Sequence, residues 1–327
     1  MRLLVVVVAL LFGCRSEPKP SQPKPQPVDR KAEVQRSAAP DPWATQTKPD
    51  DPPSFAERHK LADEACPVVS GPYFYRIEKG GKTSHILGTR HLGVSLAKMP
   101  KPVHDAIASA KLAVFEVAPG DDSDLPEQKV VLRDALGADL YKHYKELVGE
   151  QTAQMLESSA PSVAVLAMMV MYEDVGAMLD VEIERTVKEA NIPARGLEAS
   201  EFQDRLLNKI LDLRMLKASV EHTKDRSELE ADSRNDLKEY CAGTDEKPGM
   251  DDDMREDLLA SGYTQAELDK IDEEMVFARN ADWIPKLEKI LQTGDVFIAV
   301  GADHLTGPKG VVALLQKRGY KLTRITK

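Results

Sequence analysis

The sequence predicts an α/β fold in which many helices surround one mixed central β-sheet. Strand-like runs stand near both ends of the ordered part of the chain, and helical periodicity fills most of the chain between them. The last strand must therefore return to the sheet that the first strands begin. Two strand-like runs also end alike, because Gly88 precedes His91 by three residues and Gly301 precedes His304 by three.

The first strands form a predicted hairpin. Residues 74–78 and 83–87 have strand-like patterns, and Gly80 and Gly81 between them suit a tight turn. A further strand, over 112–117, is apolar except for Glu116. A carboxylate on such a strand is costly to bury unless it is paired or bound to a metal ion.

Helical periodicity dominates the rest of the chain. Residues 179–190 form an amphipathic pattern, and Pro193 ends it before a short strand over 194–197 that leads to Glu198. Strands over 296–300 and 322–325 complete the sheet. Further helices are predicted at 103–110, about 124–172, about 201–240, about 264–278, 281–292 and 310–317.

The first 13 residues resemble a bacterial lipoprotein signal peptide. Arg2 gives a positive start, the apolar run over 3–11 is too short to span a bilayer, and Gly13 precedes Cys14. The resemblance implies cleavage before Cys14 and attachment of lipid to it. An ordinary secretory signal with an unrelated cysteine is the alternative.

Residues 14–55 are predicted to be an extended tether and residues 56–327 the folded domain. Ten prolines lie between residues 15 and 53 among polar side chains, without hydrophobic periodicity. Lipid on Cys14 would anchor the domain in the cell envelope, facing the periplasm or the cell surface. Arg15 rather than Asp follows the cysteine, which favours the outer membrane in the usual Gram-negative sorting pattern.

The composition indicates which class of binding partner and which redox state of the cysteines to expect. The apolar content of 42% is enough for a sizeable core, and the net charge of −10 without a basic stripe argues against nucleic acid. Cys66 and Cys241 are expected to form a disulfide, because an oxidising compartment favours pairing of an even number of cysteines. Two separate buried thiols are the alternative.

Polar side chains lie at the carboxyl ends of four predicted strands: His91, Glu116, Glu198 and His304. Since α/β sheets gather these ends along one edge, we expect the four to meet. Two imidazoles and one carboxylate, His91, His304 and Glu116, form a set that can hold a catalytic divalent metal ion. The ion would activate a water molecule, and Glu198 would act as the general base.

The chain resembles the TraB/PrgY/GumN family, which includes the TIKI metalloproteases. The resemblance covers about residues 73–327, and it implies a fold like that of the erythromycin esterases and the ChaN haem-binding proteins. It also implies that His91, Glu116 and His304 form the active-site signature. The matching motifs are 86–93, 114–116, 196–198 with Glu201 and Gln203, Arg279 and Asn280 with Trp283, and 299–305 with Gly307.

The TIKI branch implies a hydrolase that cleaves peptides or proteins with a divalent metal ion, manganese or cobalt rather than zinc, its identity left open. Together with the lipid expected on Cys14, this predicts a lipid-anchored hydrolase. Arg279 matches a recurrent arginine and would hold a substrate carboxylate or an oxyanion. The PrgY branch implies instead a non-catalytic lipoprotein that captures a peptide or other ligand. A structural interpretation pairs Glu116 with Arg90 or Arg279, and Glu198 with Arg279. Arg90 replaces an apolar residue of the family, so it would weaken metal binding or contact substrate.

Overall fold

The computed structural model describes residues 52–123, 129–244 and 248–326. Cys14, the predicted cleavage site and nearly all of the predicted tether lie outside these ranges. Within them, no helix combines the length and the hydrophobicity that crossing a bilayer requires.

A six-stranded sheet forms the centre of the domain. In chain order its strands are β1 (Phe74–Lys79), β2 (Lys82–Thr89), β3 (Leu112–Val117), β6 (Ala194–Glu198), β7 (Val296–Gly301) and β8 (Lys321–Arg324), and a separate two-stranded pair is formed by β4 (Val130–Val131) and β5 (Ser158–Ser159). Their order across the sheet is β6-β3-β7-β2-β1-β8. The first four are parallel, whereas β1 and β8 are antiparallel to their neighbours. The predicted mixed α/β fold is confirmed.

The strand register brings the carboxyl ends of the parallel strands to one edge of the sheet. Thr89 at the end of β2 lies opposite Gly301 at the end of β7. Val117 at the end of β3 lies opposite Glu198 at the end of β6. The residues that follow these strands therefore start from the same edge, as expected for parallel strands.

Fourteen α-helices lie within the described ranges, and several predicted segments correspond to more than one of them. Helices α1 to α7 are Phe55–Ala65, Lys101–Ser109, Leu132–Leu136, Ala138–Val148, Glu150–Met155, Pro161–Val170 and Leu179–Glu189. Helices α8 to α14 are Ser200–Ile210, Leu213–His222, Arg226–Ala242, Asp252–Ala260, Gln265–Asp272, Ala278–Leu291 and Val311–Lys317. Short 3₁₀ turns occupy Leu96–Lys98 and Ala302–His304.

A π turn joins α12 to α13. It spans Glu273–Phe277, so the two helices predicted over 264–278 and 281–292 form one continuous helical run. Hydrophobic spacing did not indicate this turn, because a single i→i+5 turn changes the period over very few residues. Such turns are frequent at functional sites.

Two hydrophobic cores stabilise the domain. The first contains the sheet and the helices packed on it, with Phe74, Ile298 and Leu287 among its fully buried members. The second is almost entirely helical and includes Tyr144 and Leu216. Leu92, which follows His91 directly, belongs to the second core, so the loop after β2 runs from one core to the other.

A disulfide joins Cys66, at the end of α1, to Cys241 in the last turn of α10. The two cysteines are 175 residues apart in sequence, and their Cα atoms are 6.0 Å apart. Beside it, the Tyr240 hydroxyl donates to the Gly88 carbonyl oxygen at 2.8 Å. The end of α10 is therefore held both to α1 and to the strand end that precedes His91.

Candidate active site

The two glycine–histidine units approach each other so closely that one glycine cannot be replaced without movement. A Cβ atom at Gly88 would lie 2.9 Å from the Ala302 Cα atom and 2.9 Å from the Tyr73 Cβ atom. Real Cβ atoms essentially never come so close to other atoms. Glycine at this strand end therefore lets the loop that carries His304 pack directly on β2.

His304 is buried and is held at one ring nitrogen by a buried amide. Its Nδ1 atom lies 2.7 Å from Oδ1 of Asn280, whose Nδ2 donates to the Lys309 carbonyl oxygen at 3.1 Å. Since that donation turns the amide oxygen toward the ring, Nδ1 of His304 carries the proton. Nε2 keeps its lone pair and lies 3.7 Å from Oε1 of Glu116.

His91 is held in the same way by a carboxylate. Its Nδ1 atom lies 2.9 Å from Oδ2 of Asp180 on α7, and Oδ1 of Asp180 accepts from the Thr89 hydroxyl at 2.7 Å. Asp180 is buried, whereas the His91 side chain is 45% exposed. The site is thus accessible to solvent on the His91 side and closed on the His304 side.

Glu116 is anchored through both of its oxygens. Oε1 accepts from the Gly301 backbone N–H at 2.7 Å. Oε2 accepts from Gln203 Nε2 at 2.8 Å and from Arg279 Nη2 at 2.7 Å. The predicted pairing of this carboxylate with an arginine therefore occurs, and the arginine is Arg279.

Glu198 and Arg279 form the buried pair that the sequence left as an alternative. Arg279 reaches Glu198 through Nε at 3.1 and 3.2 Å and through Nη2 at 2.5 Å. The Trp283 indole N–H donates to Glu198 Oε2 at 3.1 Å. Gln203 Nε2 donates to Glu198 Oε1 at 3.2 Å. Arg279 thus bridges two carboxylates, and α13 supplies three residues to the site, namely Arg279, Asn280 and Trp283.

Charge and burial set different protonation states in the cluster. Burial alone would raise the pKa of Glu116, but His304, Arg279 and His91 together hold that pKa well below its usual range. Burial lowers the pKa of His304 to about 4, although Glu116 opposes this shift. Burial also disfavours charge on His91, yet the charge and hydrogen bond of Asp180 raise its pKa. At neutral pH the cluster therefore holds an ionised Glu116 beside a neutral His304.

A small pocket opens between His91 and Glu116. Its volume is about 10 Å³, roughly the room that one water molecule needs. Polar and apolar side chains line it together: His91, Phe115, Glu116, Val117, Asp180, Gln203 and Ala299. The pocket therefore has room for one water molecule or for a single atom of a ligand.

The predicted metal ligands fit a divalent cation in chemistry but not in spacing. Across residues 52–123, 129–244 and 248–326, no three His, Cys, Asp or Glu side chains converge closely enough to hold one ion. Glu116 is ionised and His304 is neutral, which are the forms that bind metal. However, Arg279 and the Gly301 N–H already occupy the Glu116 oxygens. A metal ion would compete with a cation that is in place.

Comparison with known proteins identifies the family of the chain. The TraB/PrgY/gumN family profile matches residues 73–324, well over half of the 327-residue chain. The chain belongs to the TraB/PrgY/gumN family. No curated protein and no solved structure matched it. The matched segment contains His91, Glu116, Glu198, Arg279 and His304.

In this TraB/PrgY/gumN protein the unusual Arg90 has a partner inside the fold. Arg90 Nη2 lies 2.6 Å from Oε1 of Glu173, whose side chain is 9% exposed. Arg90 is absent from the residues that line the small pocket. Its charge is therefore balanced by Glu173 beside the site.

Sequence reasoning missed two residues that orient the histidines, Asp180 and Asn280. Asp180 stands in the first turn of a predicted helix, where acidic residues are common for reasons unrelated to a site. Asn280 lay inside a recognised motif, but its partner could not be read from the sequence. Spacing relative to the glycine–histidine units gave no signal for either residue.

Glu184, one helical turn after Asp180, should make stability depend on pH. Its Oε1 atom is buried and has no hydrogen-bond partner among the described residues. Burial, and then the charge of Asp180, raise its pKa from 4.5 to about 7. A carboxyl group whose pKa is higher in the folded state than in the unfolded state destabilises the folded protein at high pH. This cost grows as the pH rises from the unfolded-state pKa through the folded-state pKa. Glu184→Gln is therefore expected to be more stable than wild type at pH 8, by about 1 kcal/mol after allowance for partial exposure.

Urea unfolding at pH 8 and at pH 4.5 measures this effect. The gain should shrink toward zero at the lower pH, where Glu184 is protonated in the folded protein. Glu189→Gln, an exposed position on the same helix, serves as the control and should change stability by no more than about 0.5 kcal/mol. An equal gain at both pH values, or a loss at pH 8, would contradict the prediction.

Proposed function

We propose that this family member is a lipid-anchored envelope protein that hydrolyses peptide bonds with a divalent metal ion held by His91, Glu116 and His304. The supporting observation is the pair of imidazoles that are each held at Nδ1, by Asp180 and by Asn280. This arrangement leaves Nε2 of each ring unprotonated, which is the form that can bind a metal ion. Histidines that bind metal commonly have such a partner on the other ring nitrogen.

Each residue of the site would contribute one function. When bound, a manganese, cobalt or zinc ion would activate a water molecule and polarise the substrate carbonyl. Glu116 would supply the negative charge among the ligands, while Gln203 and Arg279 hold its orientation. Glu198 would act as the general base, and its contacts with Arg279 and Trp283 would fix its position. Arg279 would hold a substrate carboxylate or an oxyanion through the guanidinium N–H groups that do not contact Glu116 or Glu198.

The proposed location rests on the first part of the sequence. The apolar run that ends at Cys14 and the proline-rich residues after it support a lipid anchor followed by an extended tether. Arg15 supports sorting to the outer membrane. The partners would be the membrane, through the lipid on Cys14, and a peptide or protein substrate.

A non-catalytic role, in which the protein captures a peptide or another ligand, is the second candidate. The observation that favours it is the saturation of Glu116 by Arg279, Gln203 and the Gly301 N–H. A site whose carboxylates are already neutralised can bind a ligand without a metal ion. This candidate predicts binding without turnover and without sensitivity to chelators.

Metal removal distinguishes the two functions. The purified protein would be analysed for bound metal and assayed against a peptide mixture, before and after chelation and after addition of manganese, cobalt or zinc. A metal-dependent peptidase should lose its hydrolysis on chelation and regain it with at least one of these ions. Peptide binding that persists with no cleavage in any of the samples would instead support ligand capture.

A further inference from the structure

Asp180 connects the end of β2 to the exposed histidine of the site. We propose that Asp180 is a positioning residue, which keeps the proton of His91 on Nδ1 and so presents the Nε2 lone pair to the pocket shared with Glu116. The catalytic value of this arrangement rests on the proposed function, whereas the position of the proton does not. An experiment can therefore refute the catalytic value without refuting the position of the proton, and the reverse.

The contacts of Asp180 fix both of its oxygens. Oδ1 accepts from the Thr89 hydroxyl at 2.7 Å, and Oδ2 lies 2.9 Å from Nδ1 of His91. Asp180 is 6% exposed and Thr89 3%, while the His91 side chain is 45% exposed. A rigid, buried carboxylate thus holds a ring that solvent would otherwise leave free to rotate.

The chemistry of the pair determines which nitrogen carries the proton. An ionised carboxylate can only accept hydrogen bonds, so neutral His91 must donate from Nδ1. Nε2 is then unprotonated, which is the form that can bind a metal ion or accept a proton. The matching contact between Asn280 and His304 gives the second histidine the same tautomer. Two different helices, α7 and α13, therefore prepare both rings in the same way.

A purely structural role for a first-turn carboxylate is the competing explanation, and α7 provides a matched control. Glu182 lies two residues after Asp180 in the same first turn, and its Oε2 accepts from the Leu96 backbone N–H at 2.8 Å. It fastens the loop after His91 without touching the imidazole. Glu182→Gln removes a charge from the same turn but leaves the contact with His91 in place.

Nitrogen NMR of the histidine rings reads the tautomer directly. The full-length protein, labelled with ¹⁵N in histidine and treated with chelator, would be recorded at alkaline pH, with the His91 signals identified by their loss in His91→Gln. Wild type should show the proton on Nδ1. In Asp180→Asn, the Thr89 hydroxyl should still donate to the side-chain amide oxygen, so that the amide N–H₂ faces the ring. Because the amide then donates to Nδ1, the ring proton should move to Nε2. Glu182→Gln should retain the proton on Nδ1.

Three results would overturn the inference: a wild-type His91 protonated on Nε2, an unchanged tautomer in Asp180→Asn, or the same change in Glu182→Gln. The wild-type spectrum needs no variant, so a poorly folding Asp180→Asn protein does not block the test. Where titration shows that the wild type binds manganese, cobalt or zinc, Asp180→Asn should weaken the affinity by about 10- to 100-fold. A protein that binds none of these ions would refute the proposed function and leave the tautomer test intact.

Discussion

Replacing both His91 and His304 by alanine is expected to lower kcat/KM for peptide hydrolysis by roughly 10³-fold or more. The two imidazoles are the nitrogen ligands of the proposed site, and Glu116 alone cannot hold a catalytic ion there. The measurement is the initial rate of peptide cleavage with saturating metal ion. Circular dichroism and urea unfolding of the variant would verify that it is folded.

His104 and His222 provide the control for that experiment. Both lie on helices, where His104 contacts the Met99 carbonyl and His222 lies 3.5 Å from Asp257. Neither contacts the cluster around Glu116, so the His104→Gln, His222→Gln double variant should retain the wild-type rate within about twofold. Full cleavage of peptide by the His91→Ala, His304→Ala protein would refute metal-dependent hydrolysis at this site.

Substitution of Arg279 by methionine is expected to lower the free energy of unfolding by about 3–5 kcal/mol. The guanidinium is buried and bridges Glu116 and Glu198, whose side chains are 13% and 7% exposed. Burial disfavours its charge, but the two carboxylates outweigh this effect and raise its pKa. Removal of the arginine leaves both negative charges without their main partner. Urea unfolding at neutral pH measures the loss.

Two further variants separate the loss of partner charge from the loss of packing. Adding Glu198→Gln to Arg279→Met removes one of the two carboxylate charges that have lost their arginine partner. The double variant should therefore recover part of the lost stability. Arg205→Met breaks an exposed pair with Glu201 and should cost less than about 1 kcal/mol. A double variant that is less stable than Arg279→Met would show that the carboxylates are not the source of the loss.

The fold could be predicted from sequence because its strands have strong local signals. The hairpin of β1 and β2 follows from two strand-like runs on either side of Gly80 and Gly81, and both glycines have positive φ angles, of 58° and 74°. The apolar runs of β3 and β7 match the observed strands closely. In addition, the carboxyl ends of parallel strands lie at one edge of a sheet. His91, Glu116 and His304 could therefore be expected to lie near one another before any contact was known.

The contacts between these side chains could not be predicted in the same way. Periodicity shows which face of an element is buried, but it does not show which of several carboxylates an arginine binds. The sequence left Arg279 either to a substrate or to a glutamate, and it did not indicate that the guanidinium contacts Glu116 and Glu198 together. Asp180 lies 89 residues from His91 in sequence, and only the packing of α7 against the end of β2 brings them together.

The π turn between α12 and α13 makes the site sensitive to the length of its own helix. Arg279, Asn280 and Trp283 all follow this turn. Arg279 contacts Glu116 and Glu198, Asn280 contacts His304, and Trp283 contacts Glu198. Deleting one residue from the turn would restore ordinary α-helical bonding and rotate everything downstream by about 100°. The guanidinium, the amide and the indole would then leave their partners together. A deletion or insertion in this segment is therefore expected to disrupt the site even when every residue type that contacts the cluster is retained.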